Sequence, residues 1–125
     1  MPTKPLIAIV DDDESVRLAL QSLIRSLGLA ARVFASAADF LASRDMPRVS
    51  CLILDIHMPG MSGLALHRRL VASGRAIPTI LVTGNADDAT RAEALRQGVI
   101  CYLCKPFADD DLLAWVNVAL GRATP

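Results

Sequence analysis

The chain is poor in aromatic residues, in net charge and in long apolar runs, and each shortage narrows what it can be. Its 125 residues hold one Trp, one Tyr and three Phe, so a core drawn from its 53% apolar content is aliphatic. Thirteen basic residues cancel thirteen acidic ones. No global field therefore draws the chain onto nucleic acid or an anionic membrane. No apolar run approaches the ~18 residues of a membrane span. Met1-Pro-Thr-Lys-Pro5 lacks the apolar region of a secretory signal. Cysteine is scarce and odd in number, and all three lie in strand-like apolar runs. That usage fits a reduced, cytoplasmic protein better than a disulfide scaffold. Repeats and low-complexity segments are also missing. The length suits one domain over 1–125, with 1–5 and 122–125 as flexible ends and little room for a second domain.

What is present is an alternation. Short apolar runs at Leu6–Val10, Leu29–Phe34, Cys51–Leu54, Pro78–Val82 and Ile100–Cys104 read as buried strands. Helical stripes separate them. Val16, Leu20, Leu23, Ile24 and Leu27 mark a first helix closed by Gly28. Ser36 and Asp39 cap a short second helix to about Ser43, and Ser62 opens a third that buries Leu66 and Leu70 and ends near Gly74. The fourth runs from Asp87 and Asp88 to Gly98; it is alanine-rich, weakly amphipathic and expected to dock loosely. The fifth opens at Asp109-Asp110-Asp111 and buries Leu112, Val116 and Leu120, with Trp115 at the edge. Five strand–helix units with short connections imply an α/β fold, a doubly wound parallel sheet in the flavodoxin-like order 2-1-3-4-5.

In that order the carboxyl ends of the strands meet in one crevice. Asp11 and Asp12 arrive from the first strand, Asp55 from the third, Thr83 from the fourth and Lys105 from the fifth. Crowded carboxylates repel unless a cation offsets them. Oxygen-only donors favour a hard ion, and a few carboxylates with waters suit Mg²⁺, which brings phosphoryl chemistry with it. Lys105 adds a second cation and Thr83 a hydroxyl donor. A carboxylate in that setting can become an aspartyl phosphate. The chain shows no Ser-His-Asp arrangement, no zinc-ligand spacing and no Gly-rich loop ending in Gly-Lys-Ser/Thr.

Four segments carry a resemblance. Val10-Asp11-Asp12-Asp13, Leu54-Asp55-Ile-His-Met58-Pro59-Gly-Met-Ser-Gly63, Val82-Thr83-Gly84 and Cys104-Lys105-Pro106-Phe107 are similar, in order and spacing, to the signature segments of bacterial response-regulator receiver domains. Met-Pro-Gly-Met-Ser-Gly with Thr-Gly most resembles the FixJ/NarL branch. The resemblance implies a CheY-like (βα)5 fold and a switch in a two-component phosphorelay rather than an enzyme. It makes Asp55 the phosphoacceptor, supplied by a sensor histidine kinase or phosphotransfer protein. Asp11, Asp12 and Asp55, with the backbone carbonyl of His57, would hold Mg²⁺, for which Mn²⁺ substitutes. Thr83 and Tyr102 would be the switch pair, Lys105 the phosphoryl's counter-ion, and the side chains of His57 and Asn85 tuners of phosphate lifetime. The Lys105-Pro106 bond is expected cis. The output surface would be the face of the fourth helix, fifth strand and fifth helix, offered to an output domain, a partner or a phosphorylation-dependent second copy.

Other readings remain beside it. A flavodoxin-like cofactor binder shares the topology, but Asp11-Asp12-Asp13-Glu14 would repel a flavin phosphate. An Mg²⁺-dependent phosphohydrolase needs a general acid/base and a cap, and neither is legible. A stand-alone receiver would act as a phosphate shuttle or sink. His67 is expected in solvent. Cys101 and Cys104 fall on opposite faces of a strand, as buried apolar filler rather than a redox pair.

Overall fold

Leu6–Val10 forms β1, buried along all but its first residue, and the rest of the sheet is laid on either side of it. The computed structural model describes residues 5–85 and 87–121; the expected ends 1–4 and 122–125 lie outside them. α1 spans Glu14–Arg25 and is capped by Asp13, whose carboxylate accepts the amide of Val16 at 3.2 Å. A cap of this kind satisfies a donor that the first helical turn leaves free. β2 is Ala30–Phe34, and α2 is a short helix, Ala37–Leu41, capped by Ser36. A 3-10 turn at Met46–Arg48 leads into β3, Val49–Asp55. α3 (Gly63–Ala72) is capped by Ser62, and β4 (Thr79–Thr83) follows. Pro78 stands just before β4, where its missing N–H costs nothing, while its carbonyl accepts the amide of Leu52 at 2.9 Å. α4 is Asp88–Gln97, β5 Cys101–Cys104 and α5 Asp109–Ala119.

The five strands are parallel in the order β2-β1-β3-β4-β5, as the alternating pattern predicts. Alternate residues of each strand serve two separate apolar layers. Ala8, Val10, Leu52, Leu54 and Leu81 face Phe40, Leu66, Leu70 and Ala94 of α2, α3 and α4. Ile7, Ile9, Ile53, Ile80 and Val82 face Leu20 and Ile24 of α1 and Leu112 and Val116 of α5. Only Phe34 and Phe40 stack, edge to face at 5.4 Å, among the described residues. The core is aliphatic. α4 contributes Ala94 alone as a buried residue, in keeping with its weak stripe.

Three expectations are corrected. His67 is 3% exposed, because α4 covers its side of α3. Cys104 is exposed while Cys101 is buried: Cys104 is the last residue of the edge strand β5, still paired with Thr83 but at the strand's outer end. Burial pushes the thiols of Cys51 and Cys101 up to about 12 and about 11, so both are inert filler. Leu120 is only half-buried, since α5 stops at Ala119 and Leu120 serves as its C-terminal cap. The α1 stripe allows a direct test. Ile24 is fully buried and Leu18 52% exposed. Ile24→Val should lower the free energy of urea unfolding by about 1 kcal/mol, and Leu18→Ala should leave it unchanged.

Candidate functional site

The strand register aligns the ends of β1, β3, β4 and β5, because Val10 pairs with Leu54, Asp55 with Val82 and Thr83 with Cys104. Asp11, Asp55, Thr83 and Lys105 therefore occupy adjacent strand ends. Asp11 is 1% exposed and accepts the amide of Asp13 on Oδ1 at 2.9 Å. Asp12 beside it is exposed. Asp55 is 6% exposed, and its Oδ1 accepts the amide of His57 at 3.3 Å. One carboxylate oxygen from each of Asp11, Asp12 and Asp55 lies within 4.8 Å of the others.

Lys105 Nζ reaches 3.2 Å from Asp11 Oδ2 and 4.0 Å from Asp55 Oδ1. Its amide donates to the Thr83 carbonyl at 2.7 Å, and its bond to Pro106 is cis. The Thr83 hydroxyl is fully buried and closes a turn on Asn85, accepting its amide at 3.1 Å and donating to its carbonyl at 3.3 Å. Tyr102 is half-buried against the layer of Leu54 and Leu81, and its hydroxyl accepts the amide of Asp87 at 3.4 Å. The side chains of His57 and Asn85 are exposed. The structure thus gathers the three carboxylates, Lys105 and Thr83 at one edge, with Asn85 on the turn after β4 and Tyr102 on the neighbouring strand β5.

Burial raises the pKa of Asp55 above the ordinary carboxylate value, and the charge of Asp11 adds to it. Lys105 and the His57 amide oppose the shift without cancelling it. Like charges this close call for a cation. The donor set fits a small hard one: three carboxylate oxygens within reach of one ion, with one side open for waters. A cavity of about 430 Å³ beside Arg25, Arg32, Asp45 and Arg48 is lined from Leu6 and Ala30, at the opposite end of the strands, and shares no residue with this cluster.

A protein-family model, the response regulator receiver domain, matches residues 7–117. The chain belongs to that family. This receiver is 44% identical over 118 residues to the response regulator protein TmoT of Ectopseudomonas mendocina, covering 94% of the chain and 54% of that protein. It is 38% identical over 123 residues to the transcriptional regulatory protein FixJ of Azorhizobium caulinodans, covering 98% of the chain and 58% of that protein. The chain spans about half the length of the curated relatives it matches. Among solved structures, the response regulator StyR superposes with a TM-score of 0.88 at 39% identity, over 95% of this chain and 60% of that one. The FixJ-N crystal structure superposes with a TM-score of 0.85 at 32% identity, over 99% of both chains. Receiver membership, the CheY-like fold and the likeness to FixJ expected from the four segments are therefore findings. Among the described residues no helix is long and apolar enough to cross a membrane.

Two residues at the site escape a reading of the sequence. Arg17, on the first turns of α1, donates from Nη1 to the Asp11 carbonyl at 2.8 Å and ties the acidic loop to the helix. A lone cation six residues after Asp11 was the available signal. Gly63 opens α3 directly against the backbone of Asp55. Its place at the end of a Pro/Gly loop suggested only a turn.

Proposed function

We propose that this receiver is a phosphorylation-activated switch of a two-component system, with Asp55 as the phosphoacceptor. The observation that carries the reading is the buried Asp55 carboxylate, held between the charge of Asp11 and the ammonium of Lys105 with its pKa raised. A carboxylate oxygen of Asp55 attacks the phosphorus of a kinase or phosphotransfer phosphohistidine. The new O–P bond replaces the N–P bond, and the departing imidazole takes its proton from water. Asp11, Asp12, Asp55 and the backbone carbonyl of His57 would hold Mg²⁺ or Mn²⁺, which supplies charge neutralisation to the phosphoryl oxygens. Lys105, now paired chiefly with Asp11, turns to the phosphoryl group.

The added charge gives Thr83 a better partner than its turn on Asn85, and the hydroxyl moves toward it. Tyr102, whose own hydroxyl is tied to the first turn of α4 by a long hydrogen bond, follows inward. That is a local charge event biasing a two-state element, with the face of α4, β5 and α5 as its readout. Exposed Leu95, Trp115 and Val118 lie on α4 and α5 and give an output domain, a partner or a second copy apolar contact. His57 and Asn85, exposed beside the acceptor, tune how water reaches it. The chain works in the cytoplasm as a single receiver unit, on the protein side of a phosphorelay and not on nucleic acid.

Incubation with acetyl phosphate tests this reading. One hydroxylamine-sensitive phosphoryl group per chain should appear with Mg²⁺ and disappear with EDTA. Multiple turnover on a soluble phosphate ester, without a trapped label, would overturn it in favour of a phosphohydrolase.

A further inference from the structure

The buried imidazole of His67 has a defined partner on the next helix. Gln97, the last residue of α4, brings its side-chain Nε2 to 3.3 Å from His67 Nδ1 and 3.4 Å from the Leu64 carbonyl of α3. Its Oε1 accepts Arg68 Nε at 3.0 Å. These three contacts fix one another. The Arg68 N–H can only donate, so the amide oxygen of Gln97 must face it and the amide nitrogen must face His67. That nitrogen can also only donate. Nδ1 of His67 must therefore carry the lone pair, which makes the ring neutral with its proton on Nε2.

We propose that Gln97 and His67 form a tautomer-locked clamp that fastens the last turn of α4 to α3 and is released when His67 takes up a proton. The need for a clamp follows from the rest of the helix. α4 buries only Ala94, and its first turn is held by the long 3.4 Å contact from the Asp87 amide to Tyr102. At its other end Gln97 makes three side-chain contacts to α3, the shortest at 3.0 Å. α4 is therefore a helix with one fixed end and one loose end, and the loose end is the one beside Thr83.

Protonation of His67 would set an N–H on Nδ1 against the Gln97 amide donor. Flipping the amide does not help, because it sets that donor against Arg68 instead. The flip also turns the amide oxygen onto the Leu64 carbonyl, so one hydrogen bond is lost without it and two with it. The groups around the ring offer a proton no compensation. Arg68 on α3 is a cation, Gln97 is neutral, and Glu93 on α4 is paired with Arg96 at 3.3 Å. The walls of the adjoining cavity of about 370 Å³ include Val71, Ala76, Ile77, Pro78 and Ile100 and no carboxylate. Burial accordingly lowers the pKa of His67 from its ordinary 6.5. The sign is fixed: a depressed histidine favours the clamped state above 6.5, and that contribution fades as pH falls toward the lowered value.

Long-range proton–nitrogen spectra of the chain read the tautomer directly. At neutral pH His67 should be neutral with its proton on Nε2, and amide hydrogen exchange should be slower in the last turn of α4 than in the first. Gln97→Leu removes all three contacts and should erase that difference by speeding the last turn about tenfold or more. Gln97→Glu keeps the acceptor for Arg68 but offers His67 only acceptors. It should draw a proton onto Nδ1 and move the titration midpoint upward by about one unit or more, as an adjacent opposite charge does. A cationic or Nδ1-protonated His67 in the wild-type chain overturns the clamp, and so does a Gln97→Glu midpoint equal to that of the wild type. None of these measurements involves Asp55, so the clamp and the phosphoacceptor reading fail separately.

Discussion

Asp55→Asn should abolish the phosphoryl label completely and, in EDTA, should also make the chain more stable. The first result follows from replacing an anionic oxygen nucleophile with an amide. The second follows from the electrostatics of the folded site. Asp55 has a pKa raised by burial and by Asp11, so the folded chain holds the proton more tightly than the unfolded chain does. Its favourable contribution is complete below the ordinary 3.8 and is lost as pH rises from there through the raised folded value. At neutral pH without metal, the folded chain carries a buried carboxylate that Lys105 and the His57 amide offset only in part, and asparagine lacks that charge. A gain of about 1 kcal/mol is in the ordinary range for relieving such a contact. Urea denaturation of both chains in EDTA reads the difference. Excess Mg²⁺ should reverse it, because only the wild type keeps all three carboxylates for the ion. Equal midpoints in EDTA and in Mg²⁺ would show that no crowding of charge exists at Asp55.

Gly63→Ala should be the most damaging small substitution in the chain. A Cβ on Gly63 would collide with the carbonyl oxygen of Asp55 and stand 3.0 Å from its carbon and 3.2 Å from Ile56 Cα. All three neighbours are backbone, so no rotamer change relieves the clash. The Gly63 amide also donates to the Ile56 carbonyl at 3.1 Å, which seats the start of α3 on the Asp55–Ile56 peptide. Separating them strains β3 at Asp55 itself. The expected loss is roughly 3 kcal/mol, at the upper end for overpacking, together with slower labelling of whatever folds. Gly60 supplies the contrast. It has a φ of 81°, but its Cβ would enter open space. Gly60→Ala should cost only about 1 kcal/mol of left-handed backbone strain and leave labelling intact. Equal losses for the two substitutions in urea denaturation would discard the close-approach argument.

The fold was legible because the elements differ in period. β3 is apolar through Leu54 and buried from Cys51 onward, which only a strand covered on both faces requires. α1 shows its core side at Leu20 and Ile24. Topology then brings four strand ends together, so the meeting of the carboxylates, Thr83 and Lys105 is legible in the order of the elements. What escaped depends on tertiary neighbours. His67 sits beside Leu66 on α3, but its burial is decided by Gln97, thirty residues later in the chain. Gly63 reads as a turn glycine until the Asp55 carbonyl is seen to occupy the space of its missing side chain. Cys104 shares its strand with buried Cys101 yet stands exposed where that strand runs out. Periodicity reports the face of an element and not what covers it.

The sparse commitment of α4 to the interior has a consequence for how this surface changes over time. A helix that gives the core one alanine and holds its place through Gln97 leaves most of its side chains free of any folding duty. Substitutions along its outer face, Leu95 included, would alter the proposed output surface while leaving the two apolar layers as they were. That face can be rewritten one residue at a time without touching the core.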